Sequence, residues 1–184
     1  ACIVPGAGAS LAAPSGLALD EIRQLAASDN LLEANRRYRE IPIAIQDRSF
    51  EAGGALFYPD SRAFFDEIAG PYIPESDVSP IWNPEFFGNT MVVNGRTWPY
   101  LEVEPRRYRL RLLNGCNSRF LILAFSDSAL RFWQIGADGG FLPAPVPLSQ
   151  LLMGPAERMD VIVDFSTLPV GAQVILQNLA PDEP

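Results

Sequence analysis

Apolar and polar residues alternate along most of the chain beyond residue 40. Ile41, Ile43 and Ile45 are spaced by Pro42, Ala44 and Gln46. A period of two is the pleat of a strand with one buried face. The clearest case is 106–113, where Tyr108, Leu110 and Leu112 point one way and Arg107, Arg109 and Arg111 the other. Short runs over 90–93, 97–103, 120–125, 131–135, 159–165 and 173–176 predict further strands. Glu51-Ala52-Gly53-Gly54 and Asn94-Gly95 have the composition of hairpin turns. The Gly-rich stretch 136–140 also reads as a turn, because no helix pattern follows it to hold a phosphate. Prolines 71, 74, 80 and 84 mark an irregular loop. About eight to ten short strands without a long helix among them predict an all-β sandwich or barrel, of Greek-key type.

The first 38 residues have a different texture. Residues 1–16 are rich in Ala, Gly, Pro and Ser and read as flexible. Leu19, Ile22, Leu25 and Ala26 then follow helical spacing, with Asp20 and Glu21 in the first turn. A second short helix is predicted over 31–38, with Asn30 as N-cap and Glu33 reaching back. The expected organisation is therefore a flexible and helical segment, 1–38, ahead of one β domain, 39–184. A start without Met and an end in Pro-Asp-Glu-Pro suggest a piece of a longer protein.

Composition removes many chemistries. All fourteen basic residues are arginines, and the chain has neither Lys nor His. A Ser–His–Asp or Cys–His nucleophile lacks its base. Schiff-base lysines, Walker phosphate loops and histidine metal sites are equally excluded. The net charge of −8 argues against nucleic acid or an anionic membrane surface as partner. No apolar run approaches the ~18–20 residues of a membrane span. Two cysteines, Cys2 and Cys116, leave one bridge or two free thiols open.

What remains is carboxylates and arginines. Glu102 and Glu104 share a strand face, as a glycosidase pair would, but same-face carboxylates more often pair with neighbouring Arg. The Arg107, Arg109 and Arg111 stripe reads as a solvated or ion-paired sheet face. Asp47 with Arg48 closes the first strand, and Glu157, Arg158 and Asp160 lead into 161–163. Asp47, Arg109, Arg111, Arg119, Glu157, Arg158 and Asp160 are thus candidates for ion pairs that fix strand ends, Arg109 with Glu157 among them. Cys116 has no His to share a mononuclear copper and reads as a small buried residue.

Five motifs in order carry a resemblance. They are Ile43-Ala44-Ile45-Gln46-Asp47-Arg48-Ser49-Phe50; Pro84-Glu85-Phe86-Phe87-Gly88-Asn89-Thr90-Met91-Val92-Val93-Asn94-Gly95; Trp98-Pro99-Tyr100-Leu101-Glu102-Val103-Glu104-Pro105-Arg106-Arg107-Tyr108-Arg109-Leu110-Arg111; Asn114-Gly115 with Asn117-Ser118-Arg119; and Pro155-Ala156-Glu157-Arg158-Met159-Asp160-Val161-Ile162-Val163-Asp164-Phe165. Together they resemble the middle domain of three-domain multicopper oxidases, in the branch of bacterial spore-coat laccase, bilirubin oxidase and phenoxazinone synthase. The resemblance covers roughly 39–184 and leaves the first 38 residues unmatched. It implies a cupredoxin-like Greek-key β-sandwich without copper of its own. In the family, His-X-His and His-Cys-His motifs of the flanking domains hold the copper, so a chain without His is what a middle domain requires. It further implies flanking cupredoxin domains as partners and an aromatic or phenolic reducing substrate in the intact enzyme. By position, Phe86, Phe87 and Gly88 would line the substrate groove, with Phe87 standing where that branch has a Cys. A periplasmic or secreted location is favoured by the same resemblance. Rival readings are a copper-less scaffold related to these oxidases, as in cell division, and an isolated cupredoxin-like module that forms homo-oligomers.

Overall fold

The computed structural model describes residues 2–5, 39–59 and 85–181, the first of these as backbone. Among the described residues the chain is all strand: β1 (Cys2–Pro5), β2 (Glu40–Phe50), β3 (Leu56–Phe57), β4 (Thr90–Val93), β5 (Arg96–Thr97), β6 (Tyr100–Val103), β7 (Arg107–Asn114), β8 (Leu121–Phe125), β9 (Phe132–Ala137), β10 (Gly140–Leu148), β11 (Gln150–Met153), β12 (Arg158–Asp164) and β13 (Val174–Asn178). The helices expected over 17–38 and the Pro-rich loop lie outside the described residues.

Two sheets form. The smaller runs β11-β8-β13-β1-β6; the larger runs β10-β9-β12-β7-β2-β4-β5, with β3 paired to the end of β2. Residues of one parity from both sheets meet in a single core. Ile43, Ile45, Tyr108, Leu110, Leu112, Phe132, Val161 and Val163 come from the larger sheet. Leu121, Leu123, Phe125, Leu151, Met153, Val174 and Leu176 come from the smaller one, and Phe165 joins them. Phe125 stacks on Phe132 at 4.5 Å between centroids and meets Phe165 edge-on at 6.3 Å, which ties the two sheets together. The architecture is a cupredoxin-like Greek-key β-sandwich.

The alternation of β7 holds residue by residue: Tyr108, Leu110, Leu112 and Asn114 are buried, and the arginines between them face out. Asn94 and Gly95 both take positive φ (49° and 78°) in the β4–β5 hairpin, as a two-residue turn of this hand demands. The Asn94 side chain is also tied to β2, accepting from Ala44 N at 2.8 Å and donating to the Pro42 carbonyl at 2.9 Å.

Two expectations need correction. The chain's start is not simply flexible, because Cys2–Pro5 forms an interior strand, antiparallel to β13 and parallel to β6. The apolar run Cys2-Ile3-Val4 suits a strand, and its backbone fills the slot between two others. The long strand β10 was not expected at all. Its sequence, Gly-Phe-Leu-Pro-Ala-Pro-Val-Pro-Leu, carries three prolines, which are tolerated because it pairs with β9 alone at the sheet edge.

Candidate functional site

The inward alternation of β2 runs Ile43, Ile45, Asp47, and that of β7 ends Leu112, Asn114. β2 and β7 are parallel neighbours with Ile45 opposite Asn114, so both polar residues enter one end of the core. Neither has any solvent exposure. A buried polar group must be satisfied internally, and each of these recruits a loop to do so.

Asn114 donates to the carbonyls of Arg119 and Met153, both at 3.0 Å, and accepts from Cys116 N at 3.0 Å. This folds the β7–β8 loop back over the core and aims Arg119 at Asp47. The Asp47 carboxylate accepts from Gly88 N at 2.7 Å, from Asn117 N at 3.2 Å and from Arg119 Nε at 3.4 Å. Arg119 in turn donates through Nη2 to the Gly88 carbonyl at 3.0 Å. The buried pair therefore grips both faces of the Gly88 backbone. Gly88 has to be glycine here, since a Cβ would lie 2.4 Å from Arg48 N.

The loop so held sends its two phenylalanines apart. Phe86 is buried and packs against Tyr58 (4.9 Å) and Phe57 (6.4 Å). Its amide donates to Ser118 Oγ at 3.1 Å. Phe87 is half-buried, with the Arg119 guanidinium 5.5 Å from its ring centroid. Phe87 and Gly88 border a cavity of about 800 Å³, with Arg119, Met91, Trp98 and Tyr100 on its other walls. Trp98 and Tyr100 are largely exposed.

The remaining charged candidates lie elsewhere. Arg109 forms a fork with Asp160 (Nη2–Oδ2 2.7 Å, Nε–Oδ1 3.3 Å) and reaches Glu40 at 3.2 Å. Arg111 meets the same Glu40 at 3.1 Å. The expected Arg109–Glu157 pair does not form. Glu157 follows the positive-φ Ala156, and its carboxylate accepts from Gly154 N at 2.6 Å, capping its own turn. Arg158 pairs across the neighbouring turn with Asp138 at 3.0 Å. Among the described residues Arg48 donates to the Asp47 carbonyl and not to its carboxylate, so the two do not form the strand-end ion pair. Glu104 is held by Arg39 (2.8 Å) and Arg106 (3.1 Å), which leaves Glu102 without a catalytic companion.

The donors present do not fit a copper ion. Cys116 is a free, buried thiol whose Sγ faces the Ile45 carbonyl at 3.8 Å. Burial first, and the nearby Asp47 charge second, push its pKa up to about 12. A copper site wants a thiolate with imidazoles, and the chain has no His. Among the described residues no group of three or more His, Cys, Asp or Glu gathers as a metal site.

Comparison with known proteins agrees with this architecture. No family model matches the chain. It is 43% identical to a laccase of Bacillus stratosphericus over 154 residues, covering 84% of this chain and 29% of the relative. It is also 43% identical to a laccase of Bacillus subtilis over 141 residues, covering 77% and 26%. Among solved structures, the McoA multicopper oxidase of Aquifex aeolicus superposes with a TM-score of 0.62 at 32% identity, over 78% of this chain and 29% of that one. A laccase from Pediococcus acidilactici gives 0.58 at 32%, over 76% and 26%. The fold is thus that of a cupredoxin-like unit of the multicopper oxidases. Over the stretch they share, the chain is homologous to these enzymes, with bacterial laccases among its relatives, and it spans between a quarter and a third of their length.

Proposed function

We propose that this chain is the copper-free middle domain of a laccase-like multicopper oxidase. In the intact protein it joins the flanking cupredoxin domains and forms one wall of the groove where an aromatic or phenolic reductant gives up single electrons. Dioxygen is reduced to water at copper held by the other domains. The 1–38 segment lies ahead of the domain proper and lends it strand β1. The observation that carries the reading is a laccase-like sandwich whose sequence contains no histidine at all. The cavity beside Phe87 supports the groove assignment.

Copper loading tests this. After incubation with copper and desalting, metal analysis of the isolated chain is expected to give well under one copper per chain, with no oxidation of phenols. One tightly held copper per chain would sink the assignment. The coding sequence on either side is expected to supply His-X-His and His-Cys-His motifs. Their absence would favour a copper-less scaffold.

A further inference from the structure

The groove reading names Phe86, Phe87 and Gly88, of which Phe87 and Gly88 border the cavity, but the geometry points one layer deeper. We infer that Asp47 and Arg119 are positioning residues for the cavity wall, so that affinity for an aromatic reductant depends on a buried ion pair behind the surface it touches. The inference rests on the proposed function. Three observations carry it.

First, the pair is sealed: the Asp47 side chain is wholly buried and that of Arg119 is 8% exposed. A buried pair of this kind is rigid, because breaking it leaves an uncompensated charge. Second, two of its hydrogen bonds end on the loop that borders the cavity, with Gly88 N on Asp47 and the Gly88 carbonyl on Arg119. Third, the same guanidinium lies over the Phe87 ring at cation–π distance. Phe87 sits on a loop rather than a strand, so the pleat does not set the direction of its ring. The planar Arg119 takes that part. A ring held in one orientation offers its remaining surface for stacking, which suits a flat, neutral aromatic molecule.

The test uses the full-length protein that carries this chain, in four variants: Phe87→Ala, Phe87→Tyr, Arg119→Lys and Asp47→Asn. Arg119→Lys keeps the charge opposite Asp47 but loses the planar fork and the stack. KM for a neutral phenol, KM for dioxygen, copper content and amide exchange at Gly88 and Asn117 are measured together. Phe87→Ala and Arg119→Lys are expected to raise the phenol KM about three- to tenfold, as loss of one well-placed aromatic contact does. Phe87→Tyr should restore it, and the dioxygen KM and copper content should stay put. Arg119→Lys and Asp47→Asn should speed exchange at Gly88. An unchanged phenol KM with unchanged exchange in Arg119→Lys would overturn the inference. So would a parallel rise in the dioxygen KM, which marks general loss of structure. A wild-type protein without turnover would refute the oxidase reading separately. Phenol binding followed by fluorescence titration, together with exchange, would then decide the positioning claim.

Discussion

Cys116 shows how far one residue's environment reaches. It sits beside the Asp47 carboxylate at the buried end of β2 and β7, and both burial and that charge disfavour its thiolate. Its folded pKa is raised to about 12, above the unfolded value near 9. The folded state therefore holds the proton more tightly. The preference is fully present below pH 9 and is lost as pH rises toward 12. Between these limits the unfolded chain sheds the proton first, so stability falls with a slope of at most about 1.4 kcal/mol per pH unit. Urea unfolding from pH 8 to 11 should show a steeper decline for the wild-type chain than for Cys116→Ala. Parallel curves would mean that the thiol is not in this environment. The same reasoning expects slow alkylation of Cys116 in the native protein at neutral pH. Asp47 itself was legible as an ion-pair residue, but its partner was not. Reading the alternation one step past Ile45, and one step past Leu112, would have placed Asp47 and Asn114 inside. Arg119 lies in a loop, where no periodicity indicates direction.

The larger sheet's outer face is where element-level reading worked best. The arginines of β7 alternate with core residues, so their facing outward follows from the pleat alone. Their partners depend on register. Asp160 lies opposite Arg111 in the β7–β12 ladder and is forked by the diagonal neighbour Arg109, while Glu157 precedes the strand and turns back on Gly154. A double-mutant cycle on Arg109 and Asp160 should give a coupling of about 0.5–1.5 kcal/mol, fitting a partly buried bidentate pair. The Arg109–Glu157 cycle should give none. A sizeable coupling in the second would mean that the register differs from Ile162 opposite Arg109. Strand β1 makes a second case. It was hidden because four residues are too short for a periodic signal and their composition merges with the small-residue stretch after them. Ile3 pairs with Val174 on one side and Leu101 on the other. Ile3→Pro removes a ladder donor from an interior strand. It should lower the urea midpoint and expose the edges of β6 and β13 to aggregation. A variant with an unaltered midpoint would place β1 outside the sheet.

At the scale of the whole molecule, the sandwich leaves apolar surface where a self-contained domain would not. Trp98 is 66% exposed and Tyr100 71%, and both border the cavity beside Phe87. Ile175 of β13, 50% exposed, borders the same cavity. Large aromatics left in water around a concavity mark a surface that something covers. In the proposed parent enzyme the flanking domains and the bound reductant do so. The sequence could not place this surface, because Trp98 and Tyr100 fall next to Pro99, where strand alternation gives no reliable facing. The isolated chain, stripped of those neighbours, should bury the surface against itself. Sedimentation equilibrium should show an average mass that rises with concentration, and Trp98→Ser with Tyr100→Ser should lower it without changing the urea midpoint much, since neither ring belongs to the core. In the full-length protein the same two changes should leave the assembly state alone and act only on the binding of aromatic reductants. A chain that stays monomeric at every concentration would mean that these rings are ordinary surface, and the cavity would then need no domain neighbour to complete it.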